Sequence, residues 1–174
     1  MTSRRYISRR SVLNMIGITG ALALGAGTAT AGGHTFFARL SDNPSIPGHD
    51  KVRSRGRGRL DLHWGTTNGD AVLDYTLSVA NLEQGAFAAH IHGDGRADGP
   101  IWVPLHGNGL INNETVSGTI TDDDVDEEVG GVQDLMHELV AGNGVVNVHT
   151  GFEPGGEIAG IIRPRPVRGW IILV

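Results

Sequence analysis

The chain has 174 residues, with 14 Lys and Arg against 19 Asp and Glu and no cysteine. That length fits one domain with one real core. The missing cysteines exclude disulfides, thiolate metal sites and cysteine nucleophiles, so any metal has to be held by His, Asp or Glu. A high glycine content, few aromatics and short apolar runs punctuated by Gly, Asn and Asp predict an all-β domain rich in turns.

The N-terminal stretch reads as a targeting segment. Ser8-Arg9-Arg10-Ser11-Val12-Leu13 places paired arginines directly before an apolar run over 12–26, and Ala29-Thr30-Ala31 supplies a small-residue cleavage site ahead of Gly32. The pattern is that of a twin-arginine export signal over residues 1–31. The apolar run is too short for a membrane span and carries Asn14 and several glycines, so no span is expected in the mature form. Removing 1–31 takes away four arginines and no acid, which moves the formal charge from −5 to −9. Lys51 is then the one lysine among the cations. Such an acidic, lysine-poor surface stays soluble in strong salt, pointing to a secreted protein of a salt-loving prokaryote, and it argues against nucleic acid as a partner.

Beyond the signal, residues 35–40 read as a first strand and 43–48 as a turn-rich connection. Over 58–64, Leu60, Leu62 and Trp64 alternate with Arg59, Asp61 and His63, a half-buried strand. Asn68-Gly69 is a hairpin turn signal. Leu73, Tyr75, Leu77 and Val79 alternate with Asp74, Thr76 and Ser78 in the next strand. Further strands are expected over 86–92, 101–105, 115–120, 145–149 and 157–163. One helix interrupts them: Val132, Leu135, Met136, Leu139 and Val140 recur at helical spacing, Gly142 is a stop, and Thr121-Asp122-Asp123-Asp124 has the form of its N-terminal cap.

Histidines mark the chemistry. In the strand ending Ala89-His90-Ile91-His92-Gly93, His90 and His92 project to one face and Ile91 to the other. A later strand, Val146-Asn147-Val148-His149-Thr150, can bring His149 beside them. Three imidazoles on adjacent strands suffice for a copper or zinc ion. His34, His49, His63 and His137 are expected at the surface. Glu157 is a further ligand, a partner orienting an imidazole, or a strand-end hydrogen-bonding group. The loop 94–98 reads as a solvated turn, with a calcium site as the alternative. The run Lys51-Val52-Arg53-Ser54-Arg55-Gly56-Arg57-Gly58-Arg59 suits a protected edge strand or arm, with pairing to Asp122-Asp123-Asp124 or Asp126-Glu127-Glu128, or a grip on an acidic glycan or partner. No Ser-His-Asp grouping, catalytic carboxylate pair or phosphate loop is recognisable from order or spacing.

Several segments together resemble the CHRD (chordin-type) domain family. They are Leu73-Asp74-Tyr75-Thr76-Leu77, Ala89-His90-Ile91-His92-Gly93, Gly99-Pro100-Ile101-Trp102-Val103-Pro104-Leu105, Gly118-Thr119-Ile120-Thr121, Val146-Asn147-Val148-His149-Thr150 and Pro154-Gly155-Gly156-Glu157-Ile158-Ala159-Gly160. The resemblance implies a Greek-key β-sandwich of immunoglobulin-like or dismutase-like type. It divides the chain into a signal at 1–31, a CHRD-like domain at 32–164 and a C-terminal tail at 165–174. The motifs are also similar to the copper half of copper/zinc superoxide dismutases, by which His90, His92 and His149 are the copper-type ligands. His106 falls about where the dismutase bridging histidine would. Asn108, Asn112 and Asn113 stand where zinc-half ligands would follow, and Gly156-Glu157-Ile158 offers no guiding arginine. The expected role is a secreted, non-enzymatic binding or structural domain, with an extracellular protein or surface glycan as partner. The alternative is a copper-dependent redox protein of superoxide-dismutase-like type.

Overall fold

Polar and apolar residues alternate along the first three strands, while the later ones Ala86–His92, Val145–Thr150 and Ile158–Ile161 are largely buried on both faces. The computed structural model describes residues 35–165. Its strands are β1 (Thr35–Ser41), β2 (Arg57–Thr67), β3 (Asp70–Ala80), β4 (Ala86–His92), β5 (Ile101–His106), β6 (Glu114–Ile120), β7 (Val145–Thr150), β8 (Ile158–Ile161) and β9 (Arg163–Pro164). A 3₁₀ turn at Asp122–Asp124 and one helix, α1 (Val132–Ala141), lie between β6 and β7. No helix among the described residues is long and apolar enough to cross a membrane.

All the pairings are antiparallel, in the order β5-β4-β7-β8-β1-β2-β3-β6, with β9 also on β1. β1, β2 and β3 form a meander; the chain then passes from β3 to β4, β6 comes back beside β3, and β7 comes back beside β4, the long crossing connections of a Greek key. The Tyr75 hydroxyl on β3 donates to the Leu105 carbonyl on β5 at 2.7 Å, joining the two halves across the interior. The result is a β-sandwich approaching a barrel, as the alternation and the family resemblance predict. Phe36, Ala38 and Leu40 of β1, Leu60 and Leu62 of β2, Leu73 and Leu77 of β3, Ile91 of β4 and Val146 and Val148 of β7 fill its core. Truncating one such leucine to alanine costs about 2–5 kcal/mol.

At the β2–β3 hairpin, Asn68 and Gly69 both have positive φ, +55° and +96°, which is the type I′ requirement that makes Asn-Gly the residue pair of choice.

The helix stops at Gly142 as expected, in the left-handed conformation with φ +85°, but departs from expectation at its start. The Thr121–Asp124 capping box closes the 3₁₀ turn and not α1. α1 begins after Gly131, and the carboxylate of Asp122, ten residues upstream, accepts from the Val132 N–H at 2.7 Å. The cap therefore reaches the helix through space. Val140, at 53% exposure, lies off the buried stripe formed by Val132, Leu135 and Leu139. The basic run differs too. Its C-terminal part is β2, which lies between β1 and β3 and is no edge; the ends of the strand order are β5 and β6. Its bonds to carboxylates go to Asp42, which accepts from Val52 N–H and Arg53 N–H, to Glu157, which accepts from Ser54 Oγ, and to Asp61, which accepts from Arg59.

Candidate metal centre

His90 and His92 sit at the end of β4, with Ile91 turned into the core and fully buried, as period-two geometry requires. β7 lies against β4 with Ala88 opposite His149 and His90 opposite Asn147, so His149 is a diagonal neighbour of His90 on the same face. The ring centroids are 5.0 Å apart for His90 and His149, and 5.6 Å for each of the other two pairs. Among the described residues, these three offer ligand atoms that all lie within 4.8 Å of one another. Gly93 follows because the Trp102 indole occupies the space a Cβ would need there.

Hydrogen bonds set the protonation of two rings. His92 Nδ1 lies 2.8 Å from the Gly99 carbonyl and His149 Nδ1 lies 2.9 Å from the Pro154 carbonyl. A carbonyl only accepts, so each Nδ1 carries a proton, and the metal-binding form of each ring is the tautomer with a bare Nε2. Both of those Nε2 atoms, together with His90 Nδ1, are buried without a hydrogen-bond partner. Burial, then the neighbouring His149 and His92, pushes the His90 pKa down to about 4. Burial also lowers that of His149, against the opposing effect of the Pro154 carbonyl. Neutral rings with orphaned lone pairs are what a borderline-soft cation requires. Copper and zinc both fit this donor set.

Asn147 was not singled out by its chemistry, although it shares a face with His149 two residues on. Fully buried, it donates from Nδ2 to the carbonyls of Ala97 and Gly155, each at 3.0 Å. Those two loops carry the Gly99 and Pro154 carbonyls that orient His92 and His149. The periodicity of β7 was the signal that could have found it.

Other candidates fall outside the cluster. His106 is buried and its Nε2 faces the Gly109 carbonyl at 3.3 Å. Glu157 is fully buried and bonded away from the imidazoles: it accepts from Ser54 Oγ at 2.5 Å, Glu83 N–H at 2.8 Å and Thr150 Oγ1 at 2.7 Å. Its role is the strand-end hydrogen bonding expected as one alternative. His63 and His137 are exposed, while His34 lies outside the described residues. His49 overturns its expectation: it is 5% exposed, with both ring nitrogens lacking a hydrogen bond. The 43–50 connection folds back on the domain, where Ala97 N–H bonds the Pro47 carbonyl, and so buries that ring. In the loop 94–98, Arg96 grips Asp98 through two hydrogen bonds of 2.9 and 3.0 Å, as a solvated turn would allow.

The fold and site together define a Greek-key β-sandwich with a three-histidine cluster at the end of its fourth and seventh strands. The family model for the CHRD domain matches residues 36–162, and the chain belongs to that family. No curated protein and no solved structure matches it.

Proposed function

We propose that this is an exported, non-enzymatic CHRD domain that holds a copper or zinc ion between His90, His92 and His149 and acts in contacts outside the cell. One observation carries the metal reading: three buried imidazole nitrogens face one another with no hydrogen-bond partner. Orphaned buried polar atoms are costly, and an ion satisfies all three at once. Bound there, the ion would cross-link β4 to β7. Asn147, Gly99 and Pro154 position the rings from behind, the kind of support that tunes metal affinity. Export is supported by Arg9-Arg10 and Ala29-Thr30-Ala31, and the acidic, lysine-poor composition suits a saline exterior.

A second reading, a copper-dependent redox protein, is favoured by the partial exposure of His90 and His149, which leaves the cluster open to a small molecule. Arg96, on the loop that follows β4, is already paired with Asp98.

The test is equilibrium dialysis of chelator-treated protein against zinc and copper, with elemental analysis. One ion per chain is expected, lost in His90→Ala and His149→Ala. Free metal at 100 times its Kd should stabilise the fold by about 2.7 kcal/mol. Binding below stoichiometry, or unchanged in both variants, overturns the reading. Export is tested by replacing Arg9 and Arg10 with Lys, which should retain the precursor inside the cell.

A further inference from the structure

Arg39, Arg57, Arg59 and Arg163 share the outer face of β1 and of its neighbours β2 and β9. Arg39 stands directly opposite Arg59 across the β1–β2 pair, and Arg57 stands opposite Ser41 one step along. On the other side, Arg163 of β9 is opposite Phe37. Like charges directly opposite one another destabilise a sheet unless something neutralises them. Asp61, facing Phe37 on β2, binds both Arg59 and Arg165. Arg39, Arg57 and Arg163 are exposed, and no carboxylate among the described residues forms an ion pair with them. Two surface grooves meet here and share Arg39: one runs to Arg163 past Phe37, the other to Arg57 and Arg59.

We propose that this arginine face is a binding surface for a linear polysaccharide bearing carboxylates, a uronate polymer. Strand geometry sets the backbone positions that carry these arginines about 6.6–6.8 Å apart along β2 and about 4.8 Å apart across strands, a row along which a flexible chain can lay successive acid groups. A guanidinium fork matches a planar carboxylate through two hydrogen bonds, and Arg59 already holds the Asp61 carboxylate that way at 2.5 and 2.7 Å. Such forks act in direct contact, so they persist in salt that shortens the Debye length to about 3 Å. Nucleic acid fits less well. Phe37 is covered by the guanidiniums of Arg59 and Arg165, 5.8 and 5.6 Å from its centroid, and so offers no stacking platform. The remaining acidic surface repels a polymer as densely charged as DNA. The inference does not depend on the histidine cluster.

The probe is a fluorescein-labelled oligogalacturonate, titrated by anisotropy with the full chain in chelator at about 0.15 M salt. Saturable binding is expected. The Arg39→Glu, Arg163→Glu double variant should bind at least about tenfold more weakly, whereas a charge-matched Lys51→Glu, Arg55→Glu variant stays within about twofold. Should the first variant melt early, Arg39→Gln with Arg163→Gln replaces it, with a loss of about fivefold or more. Absence of binding, or equal losses in the two charge-reversed variants, overturns the proposal. So does binding of dextran sulfate alone, tighter binding of single-stranded DNA, or a self-associated form of the chain that the Arg39→Glu, Arg163→Glu variant dissolves.

Discussion

Asn147 Nδ2 donates to the carbonyl oxygen of Ala97 at 3.0 Å, and the same nitrogen bonds the Gly155 carbonyl at 3.0 Å. One side chain on β7 thereby ties together the two loops whose carbonyls orient His92 and His149. Asn147→Ala removes both bonds and leaves buried carbonyls unpaired, which should cost about 2–4 kcal/mol by urea denaturation. Because the rings lose their positioning, zinc affinity should fall roughly 10–100-fold by calorimetric titration. A variant that loses stability but keeps full affinity would mean that the loops hold the rings without Asn147.

Acid should destabilise the metal-free protein. Burial lowers the pKa of His90 to about 4, and also lowers those of His149 and His49. At His49, nearby Asp42, Asp50 and Glu153 oppose the shift. In the unfolded chain these rings take protons near pH 6.5. As pH falls from 6.5 towards 4, the unfolded state therefore binds more protons than the native state, and stability drops. The melting temperature in chelator should fall between pH 7.5 and 5 by on the order of 5 °C, the change that ~2 kcal/mol produces in a chain of this size. His49→Gln should flatten that dependence. An acid-independent melting temperature in the parent protein would show the rings to be protonated in the fold.

The periodicities of β2 and β3 were legible in the sequence because each has one buried and one more open face, and a period of two records that directly. His90, His92 and His149 were legible for the same reason: alternation fixed the face, and β4 pairing with β7 followed the family motif order. Distance effects escaped. Asp122 caps α1 from ten residues upstream, so the local Thr121–Asp124 signal marked the wrong helical element. His49 was read as a surface residue because its neighbours Pro47, Gly48 and Asp50 look like a solvated turn, yet that turn packs onto loop 93–100 through the Ala97–Pro47 bond. The basic run resembled an edge because strand order is a property of the whole sheet.

Glu157 separates stability from metal binding. Its carboxylate collects three donors from residues distant in the chain and from Thr150, and none from the imidazoles. Glu157→Ala leaves those donors buried and should cost about 3–5 kcal/mol. Glu157→Gln keeps the shape and should cost about 1–2 kcal/mol. Zinc stoichiometry and affinity in Glu157→Gln should match the parent within about twofold. A loss of stoichiometry in a well-folded Glu157→Gln would return the carboxylate to the ligand set.

Superoxide turnover by the copper-loaded chain should not exceed that of free copper. Fast turnover needs a redox ion, an open coordination position and a positive field that draws the anion inward. The cluster supplies a donor set and partial access, through His90 and His149. The field is missing. Arg96, the cation on the adjoining loop, is held by Asp98 through a two-pronged contact, and Arg163 lies in the groove on the β1 face. His106 faces the Gly109 carbonyl and stays outside the cluster. The chain as a whole is acidic. Neutralising Asp98 by Asp98→Asn frees Arg96 beside the histidines and should raise any residual rate severalfold, as electrostatic steering predicts. Stopped-flow decay of superoxide, compared among the parent, His90→Ala and Asp98→Asn proteins, checks both statements. Rapid turnover in the parent that vanishes in His90→Ala would make the redox reading the correct one.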